Sequence, residues 1–190
     1  YILIDGIASN REEDELKIQL NDVDLDYIFG TLNIKNVTFG GNATGNLLAT
    51  HLLTGAPRLS TEQFDVKDFS YNEAIFGDLH LFSMWDNDNQ GILMKGFIEN
   101  KEDKQTYIDG YIFPTKDSLS LSFDPDKLNI AFLRPFVSTV MSDISGIASG
   151  HIDFFGRFKA LNVTGDAYVE NLDFGIESVS YTHLRDHETC

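Results

Sequence analysis

Apolar residues recur at every second position along most of the chain. The runs "KIQL", "SLSLSF" and "LDFGIE" show this spacing, and in the last one Leu172, Phe174 and Ile176 alternate with polar residues or glycine. A period of two predicts β-strands, whose successive side chains point to opposite faces. The turn-forming clusters "DNDNQG" and "NKEDKQ" separate the runs "LHLFSMW", "GILMKGFI" and "TYIDGYIF". These three runs therefore predict an antiparallel meander of at least three strands.

One segment, "KLNIAFLRPFVSTVMSDI", has a different spacing. Leu128, Phe132, Phe136 and Val140 recur every four residues, which is typical of a helix. Pro135 interrupts this pattern because proline cannot donate a backbone hydrogen bond inside a helix. We predict two short helical pieces here.

Several predicted strands are apolar on both faces. In "LHLFSMW", Leu79, Leu81 and Trp85 point one way, whereas Phe82 and Met84 point the other way. Such strands need protein cover on both sides, or an apolar ligand on one side.

The chain also resembles itself. "GNATGNL" from Gly41 matches "GIASGHI" from Gly146 at an offset of 105 residues, and "VKDFSY" matches "VENLDF" at an offset of 103. "LDYIF" from Leu25 matches "LNIAF" from Leu128, also at 103. The order of these matches predicts a repeated β unit that forms an elongated assembly. We place the first unit in residues 1–127, with its repeated part from about 25, the start of the second in 128–178, and a non-native tail in 179–190.

Glycines occupy corresponding places in the two matched segments. A glycine inside a strand typically marks a bulge or a bend, so we interpret these residues as structural. No Gly-x-Gly-x-x-Gly loop between a strand and a helix is present, so a dinucleotide site is not predicted. The structural glycines are Gly41, Gly45, Gly146, Gly150, Gly156 and Gly165.

Composition narrows the classes of function. The formal net charge of -16 opposes binding to nucleic acid, which depends on basic residues. Cys190 is the single cysteine, so no disulfide framework is predicted, and no apolar run is long enough for a membrane helix. Because the chain begins at Tyr1 rather than at a methionine, we expect an internal fragment.

Signatures of catalysis and of metal binding are weak. The chain has neither a Gly-x-Ser-x-Gly elbow nor a phosphate-binding Gly-x-x-x-x-Gly-Lys loop, so we predict no enzyme and no cofactor. "DNDNQG" resembles the start of a calcium loop, but Phe97 stands where a glutamate is required, so a hairpin turn is favoured. His183, His187 and Cys190 have metal-compatible spacing within the tail that we interpret as non-native. His151 is interpreted as a surface residue.

The segment from Leu128 to Ile176 resembles the C-terminal region of the TamB family, the translocation and assembly module subunits of the AsmA-like group. The family pattern is matched by the dipeptide Pro135-Phe136 and by a series of spaced positions, with Leu161 where a proline is common. The matching positions are Ile144, Gly146, Gly150, Gly156, Gly165, Asn171 and Phe174.

This resemblance implies a mostly β fold, an elongated curled antiparallel sheet that forms an open groove, with one or two short helices. It implies the periplasmic part of an inner-membrane-anchored protein of a Gram-negative bacterium, with the anchor outside this fragment. The expected function is phospholipid transport between membranes and assembly or secretion of outer-membrane proteins. The expected partners are phospholipid acyl chains and an outer-membrane barrel protein of the TamA type.

Five apolar residues are candidates for lining the groove, although each could instead belong to the core. They are Phe154, Val163, Val169, Leu172 and Phe174. The alternative function is a surface adhesin or a structural β-repeat module, which would share the repeats and the acidity. Such modules typically have repeats of about 20 to 30 residues, which is shorter than the unit seen here.

Overall fold

A computed structural model describes residues 1–11, 13–32, 39–54, 56–71, 74–102, 104–133, 143–158 and 160–175. These residues form one antiparallel sheet of eleven strands that does not close on itself, so the prediction of a mostly β, open sheet is confirmed. The strands are β1 (Ile2–Gly6), β2 (Glu15–Asp24), β3 (Phe39–Thr50), β4 (Arg58–Tyr71), β5 (Ala74–Asp86), β6 (Gly91–Glu99), β7 (Gln105–Phe113), β8 (Ser118–Asp124), β9 (Leu128–Asn129), β10 (Asp143–Arg157) and β11 (Ala160–Gly175).

The strand order follows the chain. Each strand from β1 to β7 pairs with the next, β8 pairs with β10, and β10 pairs with β11. The short strand β9 also pairs with β10, beyond the end of β8. The predicted meander of β5, β6 and β7 is confirmed. Its first turn is closed by Asp86, whose carboxylate accepts the N–H groups of Asp88 and Asn89, so "DNDNQG" forms a hairpin turn.

The strand registers separate the sheet into two chemically different faces. Directly paired residues point to the same face, so a row of partners can be followed across the sheet. One such row crosses all ten strands of the main path and contains only apolar residues and glycine. We call it the central apolar row: Ile2, Leu20, Gly45, Phe64, Leu81, Gly96, Ile108, Phe123, Ile152 and Gly165.

The neighbouring row points to the opposite face and is mostly polar. It contains Thr44, Asp65, His80, Phe97 and Tyr107, each paired with the next. We call the side that carries the central apolar row the apolar face, and the other side the polar face.

The sheet curls toward its apolar face. Cα atoms of β9 come within 8 Å of Cα atoms of β5, although three strand spacings separate them in the sheet order. A flat sheet would separate them by about 14 Å. Leu128 of β9 joins Phe76 and Leu79 of β5 in one buried cluster, which shows that the curl encloses the apolar face.

Two helical segments pack against this buried cluster. The sequence pattern did not predict the first, and it placed the start of the second incorrectly. The one α-helix among the described residues, α1 (Leu25–Leu32), was not predicted. Its first turn is capped by Asp24, whose Oδ1 accepts the N–H of Tyr27 at 3.3 Å. The helix predicted from Leu128 is wrong at its start, because Leu128–Asn129 form a strand and a 3₁₀ helix follows at Ile130–Leu133. A second 3₁₀ helix lies at Pro114–Lys116. Pro135, Phe136 and Val140 lie outside the described residues.

The hairpins β3–β4 and β10–β11 share one register around their first bulge, although β3–β4 has a second shift between Gly45 and Leu48 that β10–β11 lacks. Ala43 pairs with Val66, and Ala148 pairs with Val169 in the same way. Both ladders shift next to a glycine with positive φ, Gly41 at +110° in one and Gly146 at +149° in the other. On the partner strands β4 and β11, the same register shifts lie at Asp68 and Asn171, which have φ of 50° and 52°. The two matched stretches of sequence therefore have the same backbone geometry.

The correspondence continues upstream, at a different offset from the one the sequence suggested. Asp22 donates its backbone N–H to the hydroxyl of Thr44, and Lys127 donates to the hydroxyl of Ser149. Both donors have a positive φ. These pairs lie 105 residues apart, so Leu25 corresponds to Ile130 rather than to Leu128. The unit boundaries at 25 and 128 stay predictions, and the tail 179–190, with His183, His187 and Cys190, lies outside the described residues.

Candidate functional site

The apolar face forms a trough that is closed at one end. At the closed end, buried residues of β2 to β7 and β9 form a continuous cluster. Leu25 and Ile28 of α1 and Ala131 of the 3₁₀ helix at Ile130–Leu133 pack against this cluster. The end of the trough is thus covered by the chain itself.

Away from this end, the apolar face is covered less completely. A set of large apolar side chains from β5 to β8 is only half-buried there and does not belong to the buried cluster. These residues are Trp85, Met94, Ile112, Leu119 and Leu121. Sequence reasoning did not select them as groove candidates, although the alternation in "SLSLSF" already placed Leu119 and Leu121 on one face.

All five predicted groove residues lie on the apolar face, but their exposure differs. Phe154 is 6% exposed and contacts Phe123 edge-on, with ring centroids 5.3 Å apart, so it belongs to the packed wall. Val169 packs against the buried cluster of Ile130, Ile144 and Ala148. The other three are available to a ligand, because Val163, Leu172 and Phe174 on β11 are 45%, 50% and 46% exposed.

The predicted structural glycines lie where neighbouring strands approach closely. Gly45 and Gly165 belong to the central apolar row, and a Cβ on either would lie within 3 Å of a backbone oxygen of the adjacent strand. Gly41 and Gly146 occupy the two bulges. Gly150 and Gly156 have positive φ on β10. None of the six contributes a side chain to a binding site, so their role is to shape the wall.

The polar face is held together by ion pairs and aromatic contacts. Asp65 lies 2.7 Å from His80, and Lys95 lies 3.4 Å from Asp109. The ring of His80 also stacks near Phe97, with centroids 4.7 Å apart. These contacts join β4, β5, β6 and β7 on the side that faces water.

His151 lies between two carboxylates on the same face. Its Nδ1 is 2.6 Å from Asp124 and its Nε2 is 3.2 Å from Asp153, which also accepts a hydrogen bond from Ser122. The hydrogen bond to Asp124, supported by the charge of Asp153, raises the pKa of His151 above 6.5. The Ser122 hydroxyl lowers the pKa of Asp153. The predicted surface histidine is therefore an exposed link between β8 and β10.

A wide cleft lies on the polar face, across β1 to β5. Its volume is about 1050 Å³, and it is lined by apolar side chains such as Leu3, Phe82 and Met84 together with Lys17 and Asn46. This cleft is wide and open, and its mixed lining lacks the continuity of the apolar face. We therefore take the trough, rather than this cleft, as the candidate site.

The described residues include an exposed polar network of Ser122, Asp153, His151 and Asp124 on the polar face. No group of three or more His, Cys, Asp or Glu residues in the described part of the chain could hold a metal ion. No described helix has the length and apolar character needed to cross a membrane. Comparison with protein-family models, with curated proteins and with solved structures found no match. What the arrangement offers chemically is apolar surface, suited to a ligand that is itself apolar.

Proposed function

We propose that this chain is a segment of an envelope-spanning protein whose trough carries phospholipid acyl chains. The observation that supports this proposal is the central apolar row, which crosses ten strands without a polar or charged residue. A sheet that served only as a structural wall would need one packed layer over this face. Half-buried Trp85, Met94 and Leu121 instead leave a path for a ligand.

The energy of such binding is sufficient without any polar contact. Each buried methylene gains about 0.8 kcal/mol, so a chain of about 16 carbons gains on the order of 10 kcal/mol. The gain depends on contact area and has no directional requirement. A continuous apolar surface can therefore hold an acyl chain and also let it slide.

The distribution of charge favours binding of phospholipid on the apolar face of the sheet only. The chain carries a formal net charge of -16, and Asp65, Asp109 and Asp124 are among the carboxylates of the polar face. These groups repel the phosphates of lipid head groups. A phospholipid is thus best accommodated with its acyl chains in the trough and its head group in water at the rim.

The wider setting of the proposal comes from the resemblance to the TamB family. It places the trough in the periplasm of a Gram-negative bacterium, with an inner-membrane anchor outside this segment. The same resemblance assigns a role in outer-membrane protein assembly with a barrel partner of the TamA type. The apolar face supports the lipid part of this proposal most directly.

The test uses adjacent residues on β11 that point to opposite faces. Val163 is on the apolar face, whereas Thr164 is exposed on the polar face. We expect Val163→Glu to weaken binding of a fluorescent phosphatidylethanolamine at least tenfold, because a carboxylate would enter the trough. Thr164→Glu is the matched control and should bind like the parent chain. Fluorescence titration and mass spectrometry of lipid retained on the purified chain provide the two readouts.

Two results would contradict the proposal. One is a parent chain that neither retains phospholipid nor binds the fluorescent lipid. The other is equal weakening by Val163→Glu and Thr164→Glu, which would place the lipid outside the trough. Circular dichroism of both variants checks that the strand content is unchanged.

A further inference from the structure

The hairpin turns of the sheet gather at one of its edges. Because neighbouring strands are antiparallel, the turns that follow β1, β3, β5, β7 and β10 lie at the same edge, which we call the turn edge. The cluster that closes the trough lies at the opposite edge, where α1 follows β2 and β9 follows β8. The turn edge is therefore the open side of the trough.

The row of polar-face residues beside the turn edge is mostly apolar. Met84 pairs with Leu93, and Leu93 pairs with Tyr111. Ser120 pairs with both Tyr111 and Phe155. Leu93 and Tyr111 are half-buried, and Met84 and Phe155 are exposed. We call these five residues the outer band, because they lie outside the trough.

The apolar face is also incompletely covered along the turn edge. Trp85 follows Met84 on β5, and Ile112 follows Tyr111 on β7. Successive side chains of a strand point to opposite faces, so half-buried Trp85 and Ile112 lie inside the trough. The sheet is thus apolar on both faces along this edge.

The turns themselves expose apolar side chains. Ile7, Leu53 and Phe158 come from three different turns, and all are exposed. Leu53 donates its N–H to the carbonyl of Ser9, and Phe158 donates its N–H to the carbonyl of Asp117. These bonds join neighbouring turns, so the apolar tips are held together as parts of one edge.

Two cations lie at the same edge. The Nζ of Lys116 lies 4.8 Å from the centre of the Phe113 ring. Arg157 is exposed on the next strand but one, since Ser118 pairs with both Phe113 and Arg157. Aromatic rings beside cations are typical of protein segments at a membrane interface.

We propose that the turn edge inserts into the surface of a lipid bilayer. A partner protein that packed on one face of the sheet would leave the apolar residues of the other face in water. A bilayer surrounds the edge and covers both faces at once. If the trough holds acyl chains, as the proposed function states, this contact places its open side against the membrane that supplies them.

Apolar area, rather than charge, drives this contact. Asp86, Asp88 and Asp117 lie in the same turns as the cations, so the edge as a whole is not strongly positive. The hydrophobic gain depends on the apolar area removed from water. We therefore expect binding to persist at high salt, with Lys116 and Arg157 providing only a preference for anionic lipid.

The test compares two exposed aromatic residues of the polar face. Phe155 belongs to the outer band and is 39% exposed, whereas Tyr107, away from the turn edge, is 53% exposed. We expect Phe155→Glu to lower partitioning onto vesicles of phosphatidylethanolamine and phosphatidylglycerol at least tenfold, because a carboxylate would enter the interface. Tyr107→Glu is the matched control and should bind like the parent chain. Co-flotation of the purified chain with the vesicles measures both.

A second variant lies in a turn, where a substitution disturbs the strands less. Phe158→Glu should also lower partitioning at least tenfold. Urea midpoints of the three variants check that each one folds.

Trp85 reports the contact directly, because it is the single tryptophan of the chain and lies at the turn edge. Vesicles with brominated acyl chains should quench its fluorescence, and Phe155→Glu should remove most of this quenching. Val163→Glu, which blocks the trough, should leave the quenching unchanged.

The cations are tested together. We expect Lys116→Gln combined with Arg157→Gln to weaken binding to vesicles that contain phosphatidylglycerol by about fivefold or more. Binding to vesicles of phosphatidylcholine should not change.

Three results would overturn the inference. The first is a parent chain that floats with none of these vesicles. The second is an equal loss of partitioning for Phe155→Glu and Tyr107→Glu. The third is a concentration-dependent dimer that Phe155→Glu abolishes, which would make a second copy the occupant of the outer band. Binding of the fluorescent lipid is measured separately and should not respond to Phe155→Glu, so either proposal can fail without the other.

Discussion

The hairpins β3–β4 and β10–β11 share the backbone geometry of one bulge but have different surroundings. Ala43 and Ala148 are both fully buried, and both hairpins carry a glycine bulge at the same place. Val66 is 1% exposed, whereas its counterpart Val169 is only partly buried. The geometry of the bulge is therefore set within each hairpin, whereas among the described residues a further strand, β5, covers β4 and none covers β11.

The polar faces of the two hairpins differ as well. His151 on β10 corresponds to Asn46 on β3, at an offset of 105 residues. The residue beside His151 on β8 is Asp124, and the matching residue on β2 is Gln19, which pairs with Asn46. The same backbone position thus carries a titratable pair in one hairpin and two neutral amides in the other.

A buried charge should cause the largest difference between the hairpins in the loss of unfolding free energy. We expect Val66→Asp to lower the free energy of unfolding by about 4 kcal/mol or more, because the carboxylate has no partner in the core. Val169→Asp should cost about 1 to 2 kcal/mol, since water reaches part of that side chain. Urea unfolding followed by circular dichroism measures both. Equal losses would show that β11 is as enclosed as β4.

Replacement of the two bulge glycines by alanine should cause a smaller difference in the loss of unfolding free energy. An alanine Cβ at Gly41 would lie 2.5 Å from the carbonyl oxygen of Lys67, whereas at Gly146 the nearest atom is a methyl of Val169 at 2.9 Å. Both positions have a φ that alanine adopts at a cost of about 1 to 3 kcal/mol. We expect Gly41→Ala to fall at the upper end of this range and Gly146→Ala at the lower end, because the Val169 side chain can move.

The urea midpoints of these variants are compared with that of Ser145→Ala, a control next to Gly146. This control should change stability by less than about 0.5 kcal/mol. A larger loss for Gly146→Ala than for Gly41→Ala would mean that the second bulge, rather than the first, is the more tightly constrained.

The smallest effect should be a pH dependence confined to the second hairpin. The pKa of His151 is raised by Asp124, so the folded state binds this proton more tightly than the unfolded state does. The resulting stabilisation is fully present below pH 6.5 and is lost as the pH rises through the raised pKa. We expect Asp124→Asn to return the pKa of His151 toward 6.5 in an NMR titration. An unchanged titration curve would contradict the assigned contact.

Most of the fold could be predicted because alternation and glycine placement are local signals. The runs that became β5, β6 and β7 show a period of two, and the turn between β5 and β6 contains the Asp86 that closes it. The side of the sheet that each residue faces also follows from alternation within an unbroken run, as for Leu119 and Leu121. Val163 and Phe174 share one face only because the bulge at Asn171 shifts the alternation by one residue.

The helices and the exposure of individual residues could not be predicted in the same way. α1 has eight residues, and most of its stability comes from packing of Leu25 and Ile28 against a curled sheet, which no local pattern reveals. At Leu128 the four-residue spacing suggested a helix, but pairing with Ala148 prevailed and made a strand. Phe154 and Val163 are direct partners, yet Phe154 on β10 lies between two strands and is buried, whereas Val163 on β11, the last described strand, is exposed.

The order of the strands has a consequence for how the molecule forms. Each strand from β2 to β8 pairs with the one made just before it, so these strands can add to the sheet one by one during synthesis. Short sequence separations between partners favour fast pairing. Pairing of β10 with β8 is the exception, because the residues between them, which include β9, must be synthesised before β10 can pair. We therefore expect this step to be the slowest one in the growth of the sheet.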